Sequence, residues 1–268
     1  MQPWFETPPG RYLARWEQET LDQAVADLFG YHALYFTALD HEQHEKGPDT
    51  PDARKILERI DVIVGRLVAA QMQAHPDSVI AIASDHGFAA TTTEINLYRA
   101  FIDAGLITIG PDGKIASWLA APWNSGGSSA IMLSDPQDAA LVDRVAGLLD
   151  KLKSDPANRI ATIADRKAIG AMGGNPKASF YVNFEFGAYG GGFKGKDAPL
   201  VAKSASKGTH GYFQAGGQMR SAFLMMGKGV KQGHDMGEMD MRSIAPLLAQ
   251  KLGINFNVTD KHAAISTP

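Results

Sequence analysis

Ser78-Val79-Ile80-Ala81-Ile82-Ala83-Ser84 runs without a break into Asp85-His86-Gly87. A short, nearly continuous apolar run of this kind is the pattern of a strand covered on both faces. Upstream, Thr50 stands as an N-cap with Pro51 at the first helical position. Ile56, Ile60, Ile63, Val64 and Leu67 then recur at helical spacing on one face. Before that helix, Tyr31 to Leu39 is aromatic and apolar, has the length of a buried strand, and leads directly into Asp40. Strand, polar turn, long helix and second strand make a βαβ unit, the building block of parallel sheets. Chemistry in such sheets sits at the carboxyl ends of the strands, where Asp40 and Asp85-His86 fall.

Working outward, residues 1–18 read as an irregular lead-in, followed by a helix from about Glu17 to Phe29. Ile95 to Leu106 reads as a helix and Ala130 to Leu133 as a short strand. Ser134, Asp135 and Pro136 form a helix start, with Val142, Val145, Leu149 and Leu152 as its apolar face. Ser179 to Phe186 alternates strictly, which predicts a half-exposed strand. Residues 187–217 are rich in glycine and lysine and predict a long functional loop. Ser221 to Met226 is another buried-strand candidate, and Met241 to Leu252 a closing helix ended by Gly253. There is no internal repeat and no clear linker, so a single α/β domain over residues 1–268 is expected, with a mainly parallel sheet flanked by helices.

Of the 268 residues, 44% are hydrophobic and 21% charged, enough to bury a sizeable core. Twenty-six Lys plus Arg against 29 Asp plus Glu give a net charge of −3, which leaves no basic footprint for nucleic acid or a membrane surface. Without cysteine, a disulfide scaffold, a thiol nucleophile and a Cys-based zinc finger are excluded. No apolar run approaches the roughly 18 residues of a spanning helix. The first residues lack a basic-then-apolar signal pattern, and the compartment stays open.

Asp40 and His44 are four apart, so one helical turn aims both at a single ion, and carboxylate with imidazole is a natural zinc shell. His41-Glu42-Gln43-His44 fails as a metalloprotease HExxH motif, because the second histidine comes one residue early. Asp85-His86-Gly87 puts two ligand types side by side at a strand end. In Gly208-Thr209-His210-Gly211 a histidine lies between glycines, where backbone can approach a ligand closely. Each cluster taken singly also reads as an ordinary polar turn. Gly190-Gly191-Gly192-Phe193-Lys194-Gly195-Lys196 has P-loop spacing but is followed by Asp197 instead of Ser or Thr. The other histidines, and the ten methionines, carry no assigned role.

In order, Asp40-xxx-His44-xx-Gly47-Pro48, Ser84-Asp85-His86-Gly87 and Gly208-x-His210-Gly211 resemble the type I phosphodiesterase/nucleotide pyrophosphatase branch of the alkaline phosphatase superfamily. Asp61, Met219-xxx-Phe223 leading to Gly227, and Leu247-Leu248-xxx-Leu252-Gly253 are weaker echoes. The resemblance covers roughly Tyr31 to Asn255. It implies an alkaline-phosphatase-like fold and two zinc ions, manganese or iron being alternatives for the same ligands. Asp40, His44 and His210 look like the ligands of one ion, and Asp85 and His86 like protein ligands of the other. The resemblance also implies a strand Asp and a Thr or Ser nucleophile upstream of Asp40. Thr7, Thr20, Asp22 and Asp27 do not fit those roles, so the nucleophile is unidentified and the chain is expected to lack the N-terminal section of such an enzyme.

The implied function is hydrolysis of a small-molecule phosphodiester or phosphate ester. Alternatives are a non-catalytic metal-binding domain or degenerate paralogue, and a phosphomutase or sulfatase of the same superfamily. Trp123 to Gly127, with Tyr189 and Phe193, are candidates to shape a leaving-group pocket. A sheet lacking its first strands would expose an edge, and self-association through that edge is expected.

Overall fold

The computed structural model describes residues 36–213 and 217–255. By internal contacts the chain divides into residues 1–38 and 39–268, and the second unit is described here. Its elements in order are α1 (Ala38–Lys46), α2 (Pro51–Ala74), β1 (Val79–Ala83), β2 (Ala89–Ala90), β3 (Thr93–Ile95) and α3 (Leu97–Asp103). Next come β4 (Ile107–Ile109), β5 (Ile115–Trp118), β6 (Ala120–Asn124), β7 (Ser128–Leu133), α4 (Ala139–Ser154), β8 (Ile160–Asp165) and α5 (Arg166–Ala171). The chain continues with β9 (Phe180–Phe184), β10 (Ala188–Gly190), β11 (Val201–Lys203), β12 (Gly208–Thr209), β13 (Phe223–Gly227) and α6 (Ile244–Leu252).

Helix starts follow local chemistry. Thr50 caps α2 by accepting from the Ala53 N–H at 3.3 Å, with Pro51 in the first turn. Asp138 caps α4 in the same way, accepting from Leu141 N–H at 3.1 Å, three residues later than the predicted start at Asp135. Leu141, Val145, Leu149 and Leu152 are the buried stripe of α4, with Val142 only half-buried beside it. Gly253, at φ 67°, ends α6 in the left-handed conformation that glycine adopts without a Cβ clash.

The mixture of helices and sheets is α/β, as expected, but strand direction differs from the parallel sheet predicted. Sheets run β6-β7-β9-β8, β10-β3-β11, β1-β13, β12-β2 and β4-β5, and among the described residues the only parallel pairing is β10 with β3. Connections explain part of this. Only Ser125-Gly126-Gly127 separate β6 from β7, and so short a link joins antiparallel neighbours. Of the predicted βαβ unit, residues 31–35 lie outside the described residues, and Ala38 and Leu39 are helical in α1.

The four-stranded sheet carries the core. Ile131, Leu133, Phe180, Val182 and Phe184 join Val145 and Leu149 of α4 and Leu97 and Phe101 of α3 in one buried cluster. The predicted half-exposed strand is instead the inner strand β9, flanked by β7 and β8 and buried except for Tyr181. Asn183 tolerates burial because its side-chain oxygen accepts from Phe213 N–H at 2.8 Å. Burial fails in the opposite sense at β1 and β13. Both were expected to be covered, yet their residues are half-buried or exposed, since among the described residues each pairs only with the other.

Phe184→Ala is expected to cost about 3–5 kcal/mol, read as a lower urea midpoint. Trp123→Ala, at a side chain 70% exposed, should change stability by no more than about 0.5 kcal/mol. Equal losses would contradict this placement of the core.

Candidate metal centre

Asp40 and His44 lie one turn apart on α1, and the His44 Nε2 stands 3.7 Å from Asp40 Oδ1. His44 Nδ1 is 2.9 Å from the Gly208 carbonyl oxygen. A carbonyl only accepts, so Nδ1 carries a proton, and the neutral tautomer that this bond selects has its lone pair at Nε2. His86 repeats the arrangement, with Nδ1 3.0 Å from the Gly87 oxygen and Nε2 3.9 Å from Asp40 Oδ1.

His210 arrives from the far end of the chain. The two-residue pairing of β12 with β2 sets Gly208 and Thr209 beside Ala90 and Ala89, and the His210 carbonyl accepts from Gly127 N–H at 2.7 Å. Gly208 is needed for close approach, since a Cβ there would come within 2.7 Å of the Gln43 carbonyl oxygen. Gly211 has φ +82°, and a Cβ there would overlap the Ser125 carbonyl oxygen. So held, His210 puts Nε2 3.6 Å from Asp40 Oδ1.

Asp40 Oδ1 is therefore ringed by three imidazole nitrogens, all beyond hydrogen-bond range. It is buried and has no hydrogen-bond partner among the described residues. Ligand atoms about 2.0–2.1 Å from one tetrahedral ion stand roughly 3.3 Å apart, so a slight contraction of these distances would suit a shared cation. Asp40, His44 and His210 offer ligand atoms within 4.8 Å of one another. His86 adjoins both predicted ligand groups. Its ring stacks on His210 at 3.7 Å and 11°, while Nε2 also lies 3.5 Å from Asp85 Oδ2.

Burial, then the neighbouring His86, lowers the His210 pKa below its ordinary value, with Asp40 opposing. Phe88 was not singled out from the sequence, although it directly follows the Asp85-His86-Gly87 motif. Its ring packs edge-on to His44 at 4.8 Å and lies 5.5 Å from His210, forming an apolar wall.

The glycine-rich stretch is less free than a loop. β10 and β11 both pair with β3, and β12 with β2. Glu94 of β3, 2% exposed, takes Lys194 at 2.5 Å on one oxygen and the Tyr189 hydroxyl at 2.9 Å on the other. This charge pair ties the stretch down. Asn124 donates to the Gly191 carbonyl and accepts from Ser129 Oγ at 2.5 Å. Trp123 is exposed beside it.

A family model described as type I phosphodiesterase / nucleotide pyrophosphatase matches residues 6–171. The search of curated proteins gives no significant match. Among solved structures, human ectonucleotide pyrophosphatase / phosphodiesterase 5 is similar at TM-score 0.63 and 19% identity, over 85% of this chain and 55% of that one. An inactive form of the murine protein, in complex with AMP, is similar at TM-score 0.61 and 18% identity, over 88% of this chain and 59% of that one. The chain thus spans little more than half the length of these structures, and the likeness is one of fold.

Gly211→Ala should destabilise the protein by more than about 1 kcal/mol, because both its dihedral and its space are unsuitable. Gly147→Ala, within α4 with nothing near its added Cβ, should instead gain about 0.4–1 kcal/mol. Thermal unfolding of the two variants checks the pair.

Proposed function

This chain belongs to the type I phosphodiesterase / nucleotide pyrophosphatase family, a family of phosphoric ester hydrolases, and on that premise we propose that its histidine-carboxylate cluster is a metal site for hydrolysis of a phosphodiester or phosphate ester. Asp40, His44 and His210 hold one divalent ion, and Asp85 and His86 supply ligands to a second. The observation that carries this reading is the buried, unpartnered Asp40 Oδ1 facing three Nε2 atoms at 3.6–3.9 Å. Burying a carboxylate oxygen without a donor is costly, and a cation relieves that cost.

One carboxylate with two imidazoles suits zinc, with manganese or iron as further occupants. Two such ions, when bound, neutralise charge on phosphoryl oxygens and orient the ester. The chain's own groups prepare for this. Nδ1–H bonds turn the His44 and His86 lone pairs inward, and the burial that lowers the His210 pKa favours its neutral, ligating form. Phe88 shields one side of the cluster from water.

The substrate proposed is a small phosphate ester, a reading supported by the AMP held in the murine structure. No helix among the described residues is long and apolar enough to cross a membrane. A second reading is metal binding without turnover. We further propose that copies associate along β1 and β13, where Leu224 of β13 is 55% exposed.

Elemental analysis after zinc loading and desalting should find at least about one tightly held zinc per chain, lost in His44→Ala and His210→Ala. No zinc above background, or equal retention in both variants, would overturn the metal site. Turnover of a chromogenic phosphodiester that disappears in His44→Ala supports the hydrolase, whereas zinc without turnover selects the second reading. Sedimentation velocity should show mass rising with concentration, and a monomer throughout would refute the edge contact.

A further inference from the structure

His44 keeps its orientation only if the Gly208 carbonyl keeps its own. The Ser206 hydroxyl lies 2.6 Å from the Gly208 carbonyl oxygen and 3.0 Å from that of His44. Lys207 N–H donates to the same His44 carbonyl at 2.8 Å. Thr91 secures this turn from the other side. Its Oγ1 donates to the Ser206 carbonyl at 2.7 Å, and its N–H to the Lys207 carbonyl at 3.0 Å. Ser204 Oγ stands 3.1 Å from Thr91 Oγ1 and also reaches the Ser206 carbonyl. Thr91 and Ser204 are both buried.

We infer that Ser206, backed by Thr91, is a positioning residue that sets the tautomer and aim of His44. A carbonyl oxygen has two lone pairs, and at Gly208 one takes the His44 Nδ1–H while the other takes the Ser206 hydroxyl. A hydroxyl has one proton, so Ser206 donates to the nearer Gly208 carbonyl, while its oxygen stands 3.0 Å from the carbonyl of His44, on the helix that also carries Asp40. Remove the hydroxyl, and the Gly208 carbonyl is free to turn toward water. The imidazole then loses the partner that keeps its proton on Nδ1 and its lone pair at Nε2. Partners of this kind around metal-bound histidines are commonly worth 10–100-fold in affinity. The inference rests on the metal site proposed above, but the tautomer it specifies exists without metal.

The test uses the full chain as wild type, Ser206→Ala and Ser206→Thr. Zinc affinity is measured by competition with a chelator, and the His44 ring nitrogens are observed by 15N NMR in the metal-free protein, assigned through His44→Ala. Ser206→Ala should weaken zinc binding by about 10–100-fold and mix the two neutral tautomers. Ser206→Thr, which keeps the hydroxyl, should restore both. Unchanged affinity together with an unchanged tautomer in Ser206→Ala overturns the inference. So does a loss that Ser206→Thr fails to restore while both variants melt early, since Ser206 would then be merely structural. Wild type without zinc would defeat the metal site itself, and the tautomer comparison would still decide the role of Ser206.

Discussion

A carboxylate oxygen buried without a donor is a costly feature, and Asp40 Oδ1 is such an atom, surrounded by imidazoles too far away to hydrogen-bond to it. The packing around it is arranged to preserve this geometry. α1 sets Asp40 and His44 one turn apart, β2 and β12 register the strand before His210, and the Gly126-Gly127 turn fixes the His210 carbonyl. Both His44 and His86 spend their Nδ1 protons on backbone carbonyls. On the reading proposed here, that common orientation is preorganisation for a cation, achieved before any ion arrives.

Rigidity of the surrounding backbone comes from pairs of short segments more than from one large sheet. β2, β3, β10, β11 and β12 are two or three residues each, yet they turn a glycine-rich stretch into a framework. Glu94 anchors it, and a buried acid is acceptable there because Lys194 and Tyr189 satisfy both carboxylate oxygens. The four-stranded sheet supplies the hydrophobic burial, while its β6–β7 turn meets the His210 segment. Core and site are thereby coupled through backbone hydrogen bonds at Gly127.

Features written in a few neighbouring residues were legible. Thr50-Pro51 announced α2, the apolar period announced α4, and Gly253 marked the end of α6, because caps and periodicity act within a turn or two. The spacing of Asp40 and His44 was equally local. Exposure along β1, β9 and β13 was misjudged, since an apolar run or alternation reports a preference for burial and carries no information on which strand lies inside. Asn183 shows the difference: its polar side chain suggested solvent, and a single backbone donor from Phe213 permits its burial.

By itself, then, the sequence determined the start of α2, the buried stripe of α4 and the end of α6, and it brought forward Asp40, His44, Asp85, His86 and His210 as candidate ligands. Tertiary structure alone decided that the pairings are mostly antiparallel, that His86 stacks on His210, that Phe88 walls the cluster, and that the Ser206 hydroxyl donates to the Gly208 carbonyl beside the His44 helix. The physical reason is range. A cap or an amphipathic period is an interaction between near neighbours along the chain, whereas strand direction, ring stacking and a shared carbonyl are set between segments whose meeting no local pattern encodes.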